Sequence, residues 1–301
     1  MTEGVVRHNL TLRRSTQVEL VGGLGNQLFG YVAGKYLEKI HGHDVCYNTW
    51  HVPKGLTNHG ASLEGRGLSG QFVSRSPAPQ WARKWRPPFK SVNTGWDSRL
   101  DFAKKGRRVE GYFQTWRYLR SMGNFPLTSR DLLLQRRTSD WLEEHLEMAK
   151  IEKPLIMHFR RGDYKKVSGV MGLLGSDYYR AAIAEVPAHH RNSPIWILSD
   201  EPELAVEFFA GFSPRLQVMM PPHDADPAES IVLMTHGSGH IIANSTFSWW
   251  GAMLSSTSNF VIAPNPWFPS DPMPRDLLPG EWVTVKHQWR EEQDKFLDLG
   301  G

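Results

Sequence analysis

Beyond Pro154 the sequence alternates between short apolar runs and amphipathic stretches, and this alternation limits the folds available to the chain. Five runs predict strands, at residues 155–159, 195–198, 216–219, 241–244 and 260–263. Four stretches predict helices, at residues 178–185, 201–209, 228–236 and 245–254. Alternating strands and helices are typical of a doubly wound parallel sheet, which binds its ligand at the carboxyl ends of its strands.

A second unit of this kind is predicted near the start of the chain. Residues 18–21 predict a strand, and a glycine-rich turn then leads into a helix whose apolar residues recur from Leu28 to Ile40. Asn26 is the predicted N-cap of this helix, and residues 44–48 predict the next strand. With 301 residues the chain is long enough for two α/β domains that each have a core.

The predicted elements set the domain boundaries. Gly, Ser, Pro and Arg dominate residues 50–108 and predict loops, whereas residues 108–114 predict a strand and residues 131–150 a helix. The predicted division is a flexible tail at 1–16, an N-terminal α/β domain at 17–150, a C-terminal Rossmann-like domain at 151–280 and a C-terminal helix or tail at 281–301.

Composition argues against several classes of protein. Hydrophobic residues make up 40% of the chain and charged residues 22%, as in ordinary globular proteins. The net charge of +4 comes from short, scattered basic clusters, which disfavours a nucleic-acid-binding protein. Cys46 is the only cysteine, so no intrachain disulfide can form. With no apolar run near the length of a membrane span, we expect a cytoplasmic protein and leave peripheral attachment to the membrane open.

Two segments lie where a strand gives way to a helix, and both predict anion binding. In the first, Gly23, Gly25 and Asn26 allow backbone N–H groups to approach a ligand, although a tight turn would need the same glycines. The second follows an apolar strand and begins a helix, and its predicted phosphate-binding residues are Asn244, Ser245, Thr246 and Phe247.

The densest group of charges follows the strand at 155–159. Two guanidinium groups, an imidazole and a carboxylate lie within six residues, at His158, Arg160, Arg161 and Asp163. Successive residues at a strand end point in opposite directions, so one arginine can hold a diphosphate while the other pairs with a carboxylate. A purely structural ion-pair cluster is the alternative. Asp200 follows the next strand and can hold a ribose or a guanine edge, or simply cap a helix.

These segments together resemble a known family. Gly22 to Phe29, the turn at 111–114, His158 to Tyr164, 199–203 and Asn244 to Trp250 resemble, in order and spacing, the motifs of glycosyltransferase family eleven, the bacterial α-1,2-fucosyltransferases. The resemblance implies an α/β fold of the GT-B type, with two Rossmann-like domains whose parallel sheets face a cleft. It also implies an acceptor-side N-terminal domain and a GDP-fucose-binding C-terminal domain.

The resemblance further implies the reaction. GDP-β-L-fucose is the expected donor, a galactose-containing glycan the expected acceptor, and transfer with inversion to an α-1,2 linkage the expected outcome, without a cofactor or metal. Negative charge develops on the departing GDP, so we assign Arg160 to the diphosphate, supported by Arg161 and His158. Asp163 is the nearest carboxylate that could act as base, although it could instead orient an arginine.

Other interpretations remain open. Asp224 and Asp226 have a spacing that could hold Mg²⁺ or Mn²⁺ in a metal-dependent transferase of another nucleotide sugar, but the pair also fits a solvated turn. A non-catalytic nucleotide-sugar-binding protein would keep the phosphate-binding segments without turnover. A basic protein that binds polyanionic surfaces is disfavoured by the scattered charge.

Overall fold

The structure is a computed structural model that describes residues 15–52, 62–76, 87–91, 95–103, 105–123, 127–134, 138–258, 260–270, 273 and 275–289. These residues divide into two compact units. The first contains the described residues up to Thr128 together with 275–277, and the second contains the rest.

The first unit is built on a five-stranded parallel sheet. In chain order its strands are β1 (Thr16–Glu19), β2 (Val45–Asn48), β3 (Gln71–Val73), β4 (Phe89–Lys90) and β5 (Arg108–Glu110). Their order across the sheet is β3-β2-β1-β5-β4, so β1 is central and pairs with both β2 and β5. The unit also contains helices α1 (Leu24–His41) and α2 (Trp116–Ser121) and a 3-10 helix at Ser98–Phe102.

Helix α1 follows β1 directly and covers the sheet with an apolar face. Leu28, Phe29, Val32 and Leu37 are buried, as the helical spacing of the apolar residues predicts. The helix ends at Gly42, which adopts a left-handed conformation with φ 61° and donates its N–H to the Glu38 carbonyl. The predicted N-cap was wrong: Gly23 occupies that position without a side-chain cap, and Asn26 lies in the first turn.

The second unit is built on a six-stranded parallel sheet. Its strands are β6 (Leu155–Phe159), β7 (Ile195–Ser199), β8 (Leu216–Val218), β9 (Gly239–Ile241), β10 (Val261–Asn265) and β11 (Val283–Lys286). Its helices are α3 (Asp140–Glu152), α4 (Ser168–Met171), α5 (Ser176–Ala184), α6 (Pro202–Phe208), α7 (Pro227–Met234) and α8 (Thr246–Met253). Further 3-10 helices lie at Ser129–Leu132, Gly162–Val167 and Ala188–His190.

The strand order of the second sheet is that of a Rossmann fold. The order is β11-β10-β9-β6-β7-β8, so the chain runs outward from β6 to β8 and then returns to continue from β9 on the other side. Such a reversal leaves a crevice at the carboxyl ends of the two strands where it occurs, and this crevice is the usual ligand site of the fold. In this unit the reversal lies between β6 and β9.

The compact units meet in the sequence at Thr128 and Ser129, which moves the boundary from the predicted residue 150. Helix α3 packs its buried Leu142 and Ala149 in one cluster with Trp196 of β7 and therefore belongs to the second unit. Its N-terminus is also held there, because the Ser139 N–H donates to the carboxylate of Glu229 at 2.9 Å.

The chain ends and the loop-rich region differ from the prediction. Residues 283–286 form the edge strand β11, not a helix, and β3 and β4 lie within the 50–108 region predicted to be loops. The predicted tail at 1–16 falls outside the described residues except for Ser15 and Thr16, and Thr16 begins β1. Within the described part of the chain, every helix is too short or too polar to cross a membrane.

Candidate functional site

Three loops of the second unit meet at the carboxyl edge of its central strands. They follow β6, β7 and β9, which are neighbours in the sheet, and they carry most of the predicted site residues. The Tyr164 hydroxyl donates to the carbonyl of Asn244 at 3.2 Å, which joins the first loop to the third. The Arg161 N–H donates to Asp200 Oδ1 at 3.0 Å, which joins the first loop to the second.

Arg160 lies at the centre of this arrangement. Its Nη1 is 3.1 Å from Asp200 Oδ2, its Nη2 donates to Asp163 Oδ1, and its guanidinium lies 5.0 Å from the ring centroid of Tyr164. The side chain is 10% exposed. Two carboxylates and an aromatic ring therefore fix the plane of a guanidinium at the position where a Rossmann fold binds its ligand.

Gly162 makes the close approach of Asp200 possible. A Cβ atom built on Gly162 would lie 2.1 Å from Asp200 Oδ2, far inside van der Waals contact. The predicted turn at this glycine is confirmed, because a 3-10 helix begins at Gly162 directly after Arg161. The missing side chain leaves the space in which Asp200 meets both arginines.

Arg161 points into the interior of the unit. It is 2% exposed, donates to the carbonyls of Arg160 and Leu174 at 3.0 and 2.6 Å, and stacks 4.1 Å from the ring centroid of Phe159. Burial lowers the pKa of this guanidinium. The two arginines diverge as the strand geometry requires, but the predicted contact of Arg161 with a diphosphate does not fit this placement, and its role here is to anchor the loop.

His158 is also buried, and its ring stacks 5.8 Å from the ring of Phe247. Burial, and next to it the charge of Arg160, lowers the pKa of the imidazole to about 3. His158 is therefore neutral near pH 7 and adds no positive charge for a diphosphate, contrary to its predicted supporting role.

Two buried imidazoles, those of His158 and His240, make the free energy of unfolding depend on pH. Burial lowers the pKa of His240 to about 4, and both histidines have a pKa near 6.5 when unfolded. The unfolded chain binds more protons in this range, so the free energy of unfolding falls as the pH falls below about 6.5, with a limiting slope of about 1.4 kcal/mol per pH unit for each histidine. Urea titrations at several pH values between 5 and 6.5 give the free energy of unfolding at each pH. In His158→Leu this free energy should change less per pH unit than in wild type, and an unchanged dependence on pH would contradict the pKa shift of His158.

The loop after β9 holds its residues differently from the prediction. Asn244 donates through Nδ2 to the carbonyls of Met171 and Trp267, at 2.5 and 3.3 Å, so its amide supports the loop and is not directed at a ligand. Ser245 is the N-cap of α8 and accepts a hydrogen bond from the N–H of Phe247 at 3.3 Å. The half-buried Thr246 begins the helix, so the predicted anion-ready helix start is present.

The remaining predicted residues lie in the first unit, at the carboxyl ends of β1 and β5. Gly22 adopts φ +70°, and the half-buried Gly23 leads into α1, where Gly25 is buried in the first turn. Asn26 Oδ1 accepts a hydrogen bond from Gln114 Nε2 at 2.9 Å. This contact joins two of the motifs quoted above, which are 88 residues apart in the chain.

The matching family model confirms the resemblance. The model described as Glycosyl transferase family 11 matches residues 101–286, more than half of the chain. The chain belongs to glycosyltransferase family 11. It is 24% identical to an α-1,2-colitosyltransferase of Escherichia coli over 284 residues, which cover 89% of this chain and 97% of that protein. It is 32% identical to the O-antigen biosynthesis glycosyltransferase WbnK of Escherichia coli over 133 residues, 43% of each chain.

A solved structure confirms the fold of this family 11 glycosyltransferase. A mutant of Arabidopsis thaliana FUT1 in complex with GDP superposes with a TM-score of 0.52 at 9% identity, covering 93% of this chain and 81% of that one. A likeness at that identity is evidence for the fold alone. Two Rossmann-like units of the GT-B type, as predicted, are confirmed.

Two residues, one in each unit, were not assigned a role from the sequence. Tyr164 stacks on Arg160 from the 3-10 helix that begins at Gly162, whereas Arg160 precedes that helix, so no helical periodicity indicates the contact. Gln114 holds Asn26, which no local pattern predicts. Asp226 accepts a hydrogen bond from the Ala228 N–H at 3.0 Å and is the N-cap of α7, which favours the turn interpretation of the aspartate pair.

Proposed function

We propose that this family 11 glycosyltransferase moves L-fucose from GDP-β-L-fucose to a galactoside hydroxyl with inversion, giving an α-1,2 linkage in a cell-surface glycan. The observation that carries the proposal is the fixed guanidinium of Arg160 at the crevice between β6 and β9. GDP in the related FUT1 structure supports a guanine nucleotide as the donor carrier, and the match to an α-1,2-colitosyltransferase supports the linkage.

In the proposed reaction, the acceptor hydroxyl oxygen attacks the anomeric carbon of fucose as the bond from that carbon to the diphosphate oxygen breaks, and the hydroxyl proton passes to the departing diphosphate or to water. Positive charge develops on the sugar ring and negative charge on the departing GDP. Arg160 stabilises the diphosphate by charge-assisted hydrogen bonds, together with the N–H groups and hydroxyls at the start of α8. A geometry that is set before the reaction needs no reorganisation while the charge develops.

Asp163 is best placed as a positioning residue in this scheme. Its carboxylate is bound to Arg160 and is 12% exposed, so its charge already serves to hold the guanidinium. We therefore prefer the orienting role, the alternative to the base that the sequence also suggested. Transfer without a metal ion or cofactor, and peripheral attachment to a membrane, stay part of the proposal.

The donor sugar has a specific second candidate. The α-1,2-colitosyltransferase matches over nearly the whole chain, and colitose differs from L-fucose by the absence of the 3-hydroxyl. A site built to hydrogen-bond a hydroxyl rejects the analogue that lacks it, whereas a site without such a partner accepts both. A colitosyltransferase would therefore use both donors at similar rates or prefer the deoxy sugar.

The test is GDP release by the purified protein in the presence of EDTA, with GDP-fucose or GDP-colitose as donor and lactose or no acceptor. We expect release from GDP-fucose that depends on lactose and yields a product with fucose on the 2-hydroxyl of galactose. Faster transfer from GDP-colitose would replace fucose by colitose in the proposal. Activity that EDTA abolishes and Mg²⁺ restores would favour the metal-dependent alternative. Binding of GDP without GDP release from either donor, with or without acceptor, would favour the non-catalytic alternative.

A further inference from the structure

We propose that Glu201 binds the ribose 2′-hydroxyl of the donor nucleotide and that its neighbour Asp200 does not. The inference rests on the proposed function, because it requires a nucleotide at the carboxyl edge of the second sheet. It moves the ribose contact that the sequence suggested for Asp200 to the adjacent Glu201.

The position of Glu201 follows from the topology of the sheet. β7 is the strand next to β6 in the sheet, and Glu201 comes two residues after its end at Ser199. In dinucleotide-binding Rossmann folds of this strand order, an acidic residue that follows the second strand hydrogen-bonds the ribose 2′-hydroxyl, while the phosphates lie at the first strand and its helix. The phosphates at Arg160 and a ribose at Glu201 would reproduce that arrangement.

Both carboxylate oxygens of Asp200 face the loop after β6 that carries Arg160 and Arg161, here called the arginine loop. Its Oδ1 accepts the N–H of Arg161 at 3.0 Å, and its Oδ2 lies 3.1 Å from Arg160 Nη1. The closeness of Gly162 blocks Oδ2 from the side of the loop, and the side chain is 13% exposed. Asp200 is therefore a positioning residue for the arginine loop.

Glu201 is in the opposite situation. Its side chain is 30% exposed, and its ion pair is made by one carboxylate oxygen, Oε2, with Lys165, which is itself 35% exposed. Exposed ion pairs of this kind contribute little to stability, so a ligand hydroxyl can join or replace the contact at low cost. The Glu201 N–H donates to Ser199 Oγ at 2.9 Å, which fixes the backbone from which the carboxylate projects.

A carboxylate suits this ligand chemically. It accepts hydrogen bonds only, whereas a ribose hydroxyl can donate, and hydrogen bonds to a charged acceptor are shorter and stronger than neutral ones. The ion pair with Lys165 limits the rotation of the carboxylate, so the part of Lys165 is to orient Glu201 rather than to contact the ribose.

The experiment is calorimetric titration of the full chain with GDP and with 2′-deoxy-GDP, comparing the wild type, Glu201→Gln and the matched control Glu203→Gln, whose exposed side chain lies two residues away. We expect wild type to bind 2′-deoxy-GDP about tenfold or more weakly than GDP, since a hydrogen bond to a charged group is lost. Glu201→Gln should lose a similar factor for GDP and nothing for 2′-deoxy-GDP, and Glu203→Gln should behave as wild type.

Each other outcome overturns the inference in a distinct way. Equal affinity of wild type for both nucleotides would remove the 2′-hydroxyl contact without reference to any variant. An equal loss for both nucleotides in Glu201→Gln would place the carboxylate on another part of the nucleotide, such as the base. Absence of GDP binding to the wild type would contradict the proposed function itself.

Discussion

Replacing Arg160 by lysine is expected to lower kcat/KM for transfer by about 10² to 10³, although lysine keeps the charge. Removal of one preorganised donor to a developing anion costs about this much. An ammonium group also cannot reproduce a planar fork that meets Asp163 and Asp200 and stacks on Tyr164 at the same time. Steady-state kinetics of fucose transfer measures the effect, and Arg160→Ala should be at least as damaging.

The matched control is Arg180→Lys. Arg180 also stacks on an aromatic ring, 4.0 Å from the centroid of Phe212, but it is exposed on α5 and lies outside the three loops of the site. It should keep wild-type kinetics. A kcat/KM within about twofold of wild type in Arg160→Lys would show that a charge alone suffices, and the role proposed for the guanidinium geometry would be lost.

Gly162→Ala is expected to reduce kcat/KM by about 10² while leaving most of the fold intact. The new methyl group would lie 2.1 Å from Asp200 Oδ2, so either Asp200 or the arginine loop must move. A displacement of about 1 Å is enough to cost about 10² in rate when a reacting group depends on it. Overpacking at this position should also lower the free energy of unfolding by about 1 to 3 kcal/mol.

Gly169→Ala is the control for that substitution. Gly169 lies seven residues later in helix α4, and a Cβ atom built there meets nothing within 4 Å. Its activity should match that of wild type. Its urea midpoint should match or slightly exceed that of wild type, because alanine favours a helix over glycine. If both alanine variants behaved alike, the close packing of Gly162 against Asp200 would have no functional consequence.

The elements that the sequence predicted well are those whose signal is local. β6 was predicted at its observed bounds because five consecutive apolar or buried residues are followed by a charged loop. β7 and the start of α8 were also predicted to within a residue or two, since Ser245 caps the helix as its residue type favours. The position of Arg160 in the site could be predicted in the same way, because Arg160 directly follows β6.

The features that were missed depend on contacts with distant parts of the chain. β11 is a short edge strand that is mostly exposed apart from the buried Val285. Its β-branched residues 283–285 favour a strand, but a run this short is decided by the pairing with β10. Asn244 could donate to a ligand or to the backbone, and only the positions of Met171 and Trp267 decide between them. The same holds for Arg161, whose direction is set by Leu174, a residue of another loop.

The inward-pointing Arg161 links the integrity of the site to the interior of its unit. Its backbone N–H is held by Asp200, and its guanidinium is held by two backbone carbonyls and by the rings of Phe159 and Phe208. Opening of the arginine loop would therefore break the buried contacts of the Arg161 guanidinium and expose apolar surface as well. Such an opening belongs to the rare, large-scale fluctuations of the protein rather than to the frequent fraying of a surface loop.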